Sequence, residues 1–227
     1  MSNNTPFIMT SYDISYEPIY TKYHKQMPEE LKNKYEDYIL SLKKRDTSIL
    51  NELETISKKY NNPVVNNLLY NCLIIANRHH DAIKIAEHNF NTFPDYLFGR
   101  LNYASTFILK DDYKSIPRIF NYKFDLKLIE PNRNKFHISE VLSFHKIMHS
   151  YHLGINEYEN AKKHYDIICQ LDIEGKVKKE LSTTNFIIKQ KKLVEIILSI
   201  LISPFILIYM IYDVIKKTIK DMMKTKT

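Results

Sequence analysis

Residues 138–171 read ISEVLSFHKIMHSYHLGINEYENAKKHYDIICQL. Residues 138–153 read as one helix, Gly154-Ile155-Asn156 as a turn, and residues 157–171 as a second helix. A helical hairpin with so short a turn must lay its limbs antiparallel. Neither limb is apolar all round, so the unit has to bury its stripe against a neighbour.

Similar units lie upstream. Pro28-Glu29-Glu30 opens a helix, because proline suits a first turn and acids suit its positive end. Leu31, Tyr35, Tyr38, Ile39 and Leu42 follow at helical spacing, and Lys43-Lys44-Arg45 closes it. Asp46 or Thr47 caps a second helix with Ile49, Leu50, Leu53, Ile56 and Tyr60, and Asn61-Asn62-Pro63 ends it. The next pair carries Leu68, Leu69, Leu73, Ile74 and Ala76, a turn at Asn77-Arg78-His79-His80, then Ala82, Ile83, Ala86 and Phe90. The third pair has Leu97, Leu101, Ala104 and Ile108, a turn at Asp111-Asp112, and a short limb with Tyr113, Ile116, Ile119 and Phe120. Residues 121–137 read as a loop, and residues 1–27 as a flexible N-terminal arm without a secretory signal. The expected fold class is all-α: an α-solenoid of about four antiparallel hairpins over residues 28–173, plus a C-terminal hydrophobic helix.

Composition removes several alternatives. The 227 residues contain 44% hydrophobic and 26% charged side chains, a balance that can bury a core. Only three glycines occur, Gly99, Gly154 and Gly175, so no glycine-rich phosphate loop can be written. Two cysteines, Cys72 and Cys169, are too few for a disulfide framework and suit a reducing compartment. The net charge of +7 is unevenly spread. Residues 174–227 hold eleven lysines against five acids, while residues 1–173 hold 22 basic and 21 acidic side chains. The excess flanks an apolar stretch, which fits a membrane surface rather than a nucleic-acid groove.

The hairpins around Ala82 and Ala161 resemble tetratricopeptide repeats, 34-residue helix–turn–helix units. In the second hairpin Leu69, Ala82 and Pro94 fall on that family's Leu, Ala and Pro, while its Trp, Gly and Tyr places hold Asn66, Tyr70 and Leu73. In the fourth, Ala161 and Tyr165 match the Ala and aromatic places, and the turn at 154–158 is similar. Ala82 and Ala161 lie 79 residues apart, which is two periods and eleven extra residues, accommodated in 121–137. The resemblance implies a right-handed array whose first helices line a peptide-holding groove. It places Asn67 and Asn71, Leu101 and Ser105, and Lys146 and Ser150 in that groove. An extended peptide or an acidic chain end would suit the donors Asn67, Asn71 and Lys146.

Residues 174–192 read as a basic capping helix or linker, and 213–227 as a basic amphipathic tail. Between them, residues 193–212 include thirteen Leu, Ile, Val or Phe and one charge, Glu195. At 1.5 Å per residue they reach roughly 30 Å, the thickness of a bilayer core. At roughly −0.4 kcal/mol each, the thirteen contribute about −5 kcal/mol to insertion. A transmembrane helix with the repeat domain in the cytoplasm is the leading reading. A re-entrant hairpin bent at Pro204, and a helix packed on a soluble repeat domain, are the alternatives.

No catalytic set emerges. His145, His149 and His152 share one helix face, but they occupy the packing places of the repeat, with His164 able to approach. His79, His80 and His88 form no metalloprotease motif. Glu157, Glu159, Asp111 and Asp112 lie at turns, where acids cap helices. Cys72 and Cys169 read as small apolar residues. The expected function is a non-catalytic protein–protein interaction scaffold anchored to a membrane, without metal, cofactor, small-molecule substrate or nucleic acid. The alternative is a soluble adaptor of the same architecture.

Overall fold

The computed structural model describes residues 11–173, together with Gly175 and Leu181. The chain divides into two compact units, Met1–Gly175 and Lys176–Thr227. The expected basic segment 174–192, span 193–212 and tail 213–227 lie outside the described residues, apart from the two isolated positions. No described helix is long and apolar enough to cross a membrane.

The first unit is predominantly α-helical. Its elements in order are β1 (Asp13–Ser15), α1 (Lys22–Lys25), α2 (Glu29–Lys43), α3 (Leu50–Tyr60), α4 (Pro63–Ile75), α5 (His79–Thr92) and α6 (Leu97–Leu109). A 3-10 turn (Tyr113–Ser115) then leads to α7 (Ile116–Ile119), α8 (Leu126–Ile129), β2 (Lys135–His137), α9 (Ile138–Gly154) and α10 (Tyr158–Leu171). Helix starts follow local chemistry. Pro28 precedes α2, with Glu29 and Glu30 in its first turn. Asn61-Asn62-Pro63 serves two helices: Asn61 is left-handed and stops α3, while the Asn62 side chain accepts from Val64 N–H with Pro63 in the first turn of α4. His137 and Glu140 form a reciprocal cap on α9, and Arg133 holds Glu140 through both guanidinium nitrogens at 3.0 and 2.7 Å.

One backbone device occurs at the four turns between paired limbs, and again after α7 at Asn121 and Tyr122. Arg45, Asn77, Asp111 and Asn156 all have positive φ, between 54° and 66°. Each donates its N–H to the carbonyl three residues back, and the next residue donates to the carbonyl five back. The second bonds are Asp46 to Ser41 (2.9 Å), Arg78 to Leu73 (2.9 Å), Asp112 to Phe107 (2.9 Å) and Glu157 to His152 (2.7 Å). This is the Schellman arrangement, which satisfies carbonyls orphaned at a helix end and turns the chain sharply. The intervals between the left-handed residues of the four inter-limb turns are 32, 34 and 45 residues.

The first limbs pack in series, α2 on α4, α4 on α6 and α6 on α9, while α3 packs on α4 and α5 on α6. The apolar interior has two adjoining parts. One gathers Leu31, Leu53, Val64, Leu68 and Leu73, the other Leu101, Ile116, Leu126, Phe136, Phe144 and Met148. Phe98 and Tyr103 of α6 pack against both.

Two expectations change. The arm 1–27 is built into the fold from Tyr12 onward. β1 pairs in parallel with β2, Ile14 opposite Phe136, and Tyr12 meets the Phe136 ring edge-on at 5.0 Å. Further along, Met27 is buried and the Asn62 amide donates to the Tyr23 carbonyl at 3.1 Å. The segment 121–137 is not simply a loop. Asp125 caps α8 through Lys127 and Leu128 N–H, and Leu126, Ile129 and Phe136 are buried. The second limb of the third pair is a 3-10 turn and one helical turn, ended by consecutive left-handed residues Asn121 and Tyr122.

The turns are testable. Arg45 is exposed, and a side chain in the left-handed region costs about 1 kcal/mol relative to glycine. Arg45→Gly is expected to raise stability in urea titration by up to that amount. A β-carbon at Gly154 would overlap the ring of Tyr113 close to its attachment point. Gly154→Ala is therefore expected to cost about 1–3 kcal/mol, and Tyr113→Ala in the same chain should recover part of it.

Candidate functional site

The polar face of the first limbs is where the groove residues are expected. Asn67 and Asn71 lie one turn apart on α4, both half-buried. The Asn71 amide donates to the Asn67 carbonyl at 2.8 Å and to its Oδ1 at 3.4 Å. From α6, the Asn102 amide donates to the same Oδ1 at 2.7 Å. An asparagine ladder thus joins two neighbouring helices. Ser105, also half-buried, donates to the Leu101 carbonyl at 3.0 Å. Burial pushes the neighbouring Tyr70 phenol up to about 12, with its hydrogen bond to Ser105 opposing. Lys146 and Ser150 sit half-buried one turn apart on α9, which packs on α6.

Leu101 is not a groove residue. It is 1% exposed, within the second apolar cluster. Asn102, its neighbour in the chain, faces Asn67 instead. One residue is a 100° rotation on a helix, and burying a leucine of that size stabilises by roughly 1.5–3 kcal/mol, enough to set the helix rotation. The signal for this rotation is the polarity of Asn102 beside an apolar neighbour.

Behind this face lie buried polar seams. Between α3, α4 and α5, the Ser57 hydroxyl donates to Asn66 Oδ1 at 2.7 Å. The Asn66 amide donates to Asn89 Oδ1 at 3.4 Å, and the Asn89 amide to the Pro63 carbonyl at 3.2 Å. Between α9 and α10, His145, His149, His152 and His164 are all buried. His145 and His164 meet Nδ1 to Nδ1 at 2.8 Å, so one donates and the other accepts. His149 Nδ1 donates to the Ala161 carbonyl at 2.9 Å, and His152 Nδ1 to Glu157 at 2.8 Å. Burial holds His145 down at about 4, with the Asp125 charge opposing. His164 is held far lower by burial and by the three neighbouring imidazoles and Lys163. His152 is also depressed by burial, with Glu157 opposing.

Among the described residues, no group of three or more His, Cys, Asp or Glu is arranged to hold a metal ion. His79 and His80 are exposed at the start of α5, and His88 meets Asn61 at 2.8 Å. Cys72 is buried, which pushes its thiol up, and Cys169 is half-buried. Of the turn acids, Asp112 accepts from Ser115 at 2.6 Å, and Glu157 accepts from His152 and Asn160.

The two classes of first-limb residue separate by stability. Leu101→Ala is expected to cost about 2–5 kcal/mol in denaturant titration, as a core truncation. Asn71→Ala should cost about 1 kcal/mol, the worth of a half-buried hydrogen bond.

No protein-family model matches the chain, and no solved structure does. One curated relative is Protein PFC0760c of Plasmodium falciparum (isolate 3D7), 34% identical over 106 residues. The match covers 43% of this chain and 3% of that protein's length, and that protein's name states no activity.

Proposed function

We propose that the chain is a non-catalytic interaction scaffold: a tetratricopeptide-like array that holds an extended peptide or acidic chain end along its first limbs, tethered to a membrane by residues 193–212. The left-handed turn that recurs between paired limbs carries this reading. Intervals of 32 and 34 residues fit the 34-residue unit, and the 45-residue interval exceeds it by eleven, absorbed by α8 and β2. Serial packing of the first limbs is the order such an array requires. Ala82 and Ala161, both fully buried, let the two limbs of their hairpins approach closely.

The groove residues in this reading are Asn67, Asn71, Ser105, Lys146 and Ser150, with Asn102 in place of Leu101. Side-chain amides can pair with both N–H and C=O of an extended backbone, and Lys146 offers a cation to a carboxylate. The tether rests on the length and apolarity of 193–212 and its lysine flanks.

Two measurements test the parts. Affinity capture from the native host with the full chain should retain a protein partner that Asn71→Ala with Lys146→Ala loses while remaining folded by circular dichroism. Equal capture by the variant would remove the groove. The full chain should sediment with membranes and resist alkaline extraction, and a chain ending at Thr184 should stay soluble and helical. A soluble full chain whose truncated form unfolds would replace the anchor with an apolar helix packed on the array.

A further inference from the structure

The interface of α9 and α10 carries four buried imidazoles among its apolar side chains. His145, His149 and His152 project from α9. His164 projects from α10 and stacks on His152 with ring centroids 5.3 Å apart. His145 and His164 lie 5.0 Å apart by centroid. Among the described elements α10 packs principally on α9, so these contacts largely decide whether it stays docked.

The hydrogen bonds assume neutral rings. Tyr12 on the strand-forming arm reaches His145 Nε2 at 3.5 Å. With that hydroxyl donating, His145 donates from Nδ1 and His164 accepts at Nδ1. One added proton on the pair can still be shared between the two Nδ1 atoms, but it places a charge among buried rings. A second proton leaves N–H facing N–H at 2.8 Å, with no acceptor between them.

Among the described residues two carboxylates offset part of such charge and a lysine opposes it. Asp125, the buried N-cap of α8, acts on His145. Glu157, in the turn, accepts from His152. Lys163 of α10 opposes charge on both His152 and His164. On α6, Arg100 is engaged by the Pro94 carbonyl and Glu130. Before β2, Arg133 is held by Glu140, and His137 meets Ser139 at 2.6 Å. Beside the 3-10 turn, Tyr113 donates to Asp111. His164 thus has three imidazoles and a lysine acting on it.

We propose that this imidazole seam makes the last helical hairpin an acid-labile latch, docked while the His145–His164 pair is neutral and undocked when both rings are protonated. The sign follows from proton uptake. Rings held neutral in the folded state gain protons when α10 leaves, so docking is fully stable above the ordinary imidazole value and weakens as pH falls below it. At pH 5 a ring kept neutral when docked and titrating near 6.5 when released favours undocking by about 30-fold. His145 alone supplies that factor, and His164 multiplies it.

Hydrogen exchange of the full chain, with rates corrected for intrinsic pH dependence, reads the latch segment by segment. Between pH 7.5 and 5.0 the amides of α10 are expected to lose at least about 30-fold in protection while those of α4 keep theirs. The pair His145→Gln with His164→Asn, which cannot titrate, should cut the loss by at least about tenfold, with His152 keeping a share. Unchanged α10 protection, or equal loss in α4 and α10, would overturn the proposal. Should the double variant fail to fold, ring 15N shifts of the native chain decide. Charged His145 and His164 with α10 still protected would overturn the latch, and neutral rings up to the point of release would support it.

Discussion

Everything in the described unit depends on reversing a helix within a few residues, at four inter-limb turns, with no glycine in the left-handed position. At Arg45, Asn77, Asp111 and Asn156 an L-residue occupies the left-handed region, which costs about 1 kcal/mol or more at each site. Two backbone hydrogen bonds per turn offset it by satisfying carbonyls that the end of a helix would otherwise leave open. Once the chain has turned, the limbs lie antiparallel and each first helix meets the next. No single limb of this length would be stable alone in water. The turn is therefore the geometric condition for burial, and burial supplies the stability.

The N-terminal arm joins helices that the hairpin turns alone do not bring together. Here residues 12–15 reach the strand that precedes α9, while Lys22 and Tyr23 reach Asp95 at the start of α6 and Tyr23 offers its carbonyl to Asn62 at the start of α4. One segment therefore ties the beginnings of three first limbs together. A parallel pair of three residues is marginal alone. It holds because Tyr12, Ile14 and Phe136 share the second apolar cluster.

How much of the fold is legible depends on sequence distance. The hairpins of α4–α5 and α9–α10 can be read because helical period and turn residues such as Asn77 and Asn156 are local signals. The β1–β2 pair cannot, because Ile14 and Phe136 are far apart in sequence and each strand is too short to show alternation. Of the candidate groove, Asn67 and Asn71 lie half-buried one turn apart on α4. Leu101 is no part of it, since a rotation of one residue on α6 buries it and turns Asn102 toward Asn67. The spacing of His145, His149 and His152 shows a shared face. It does not show that the Ala161 carbonyl, Glu157 and His164 meet that face from α10 and its turn.

The two buried polar seams act differently from the apolar clusters beside them. Leucine against leucine tolerates sliding, because dispersion is non-directional and side chains repack. Asn66 tolerates none: its amide must meet Ser57 on one helix and Asn89 on another, and a shift of one turn would strand all three in the interior. The imidazoles do the same for α9 and α10, where the Ala161 carbonyl and the His164 ring accept only one alignment. Apolar burial thus supplies most of the stabilisation and leaves the register loose, and directional bonds select one register from those the apolar stripes allow. Where the selecting groups are amides, that choice is insensitive to pH. Where they are imidazoles, the same bonds make the alignment depend on protons, and that difference separates the two ends of the described unit.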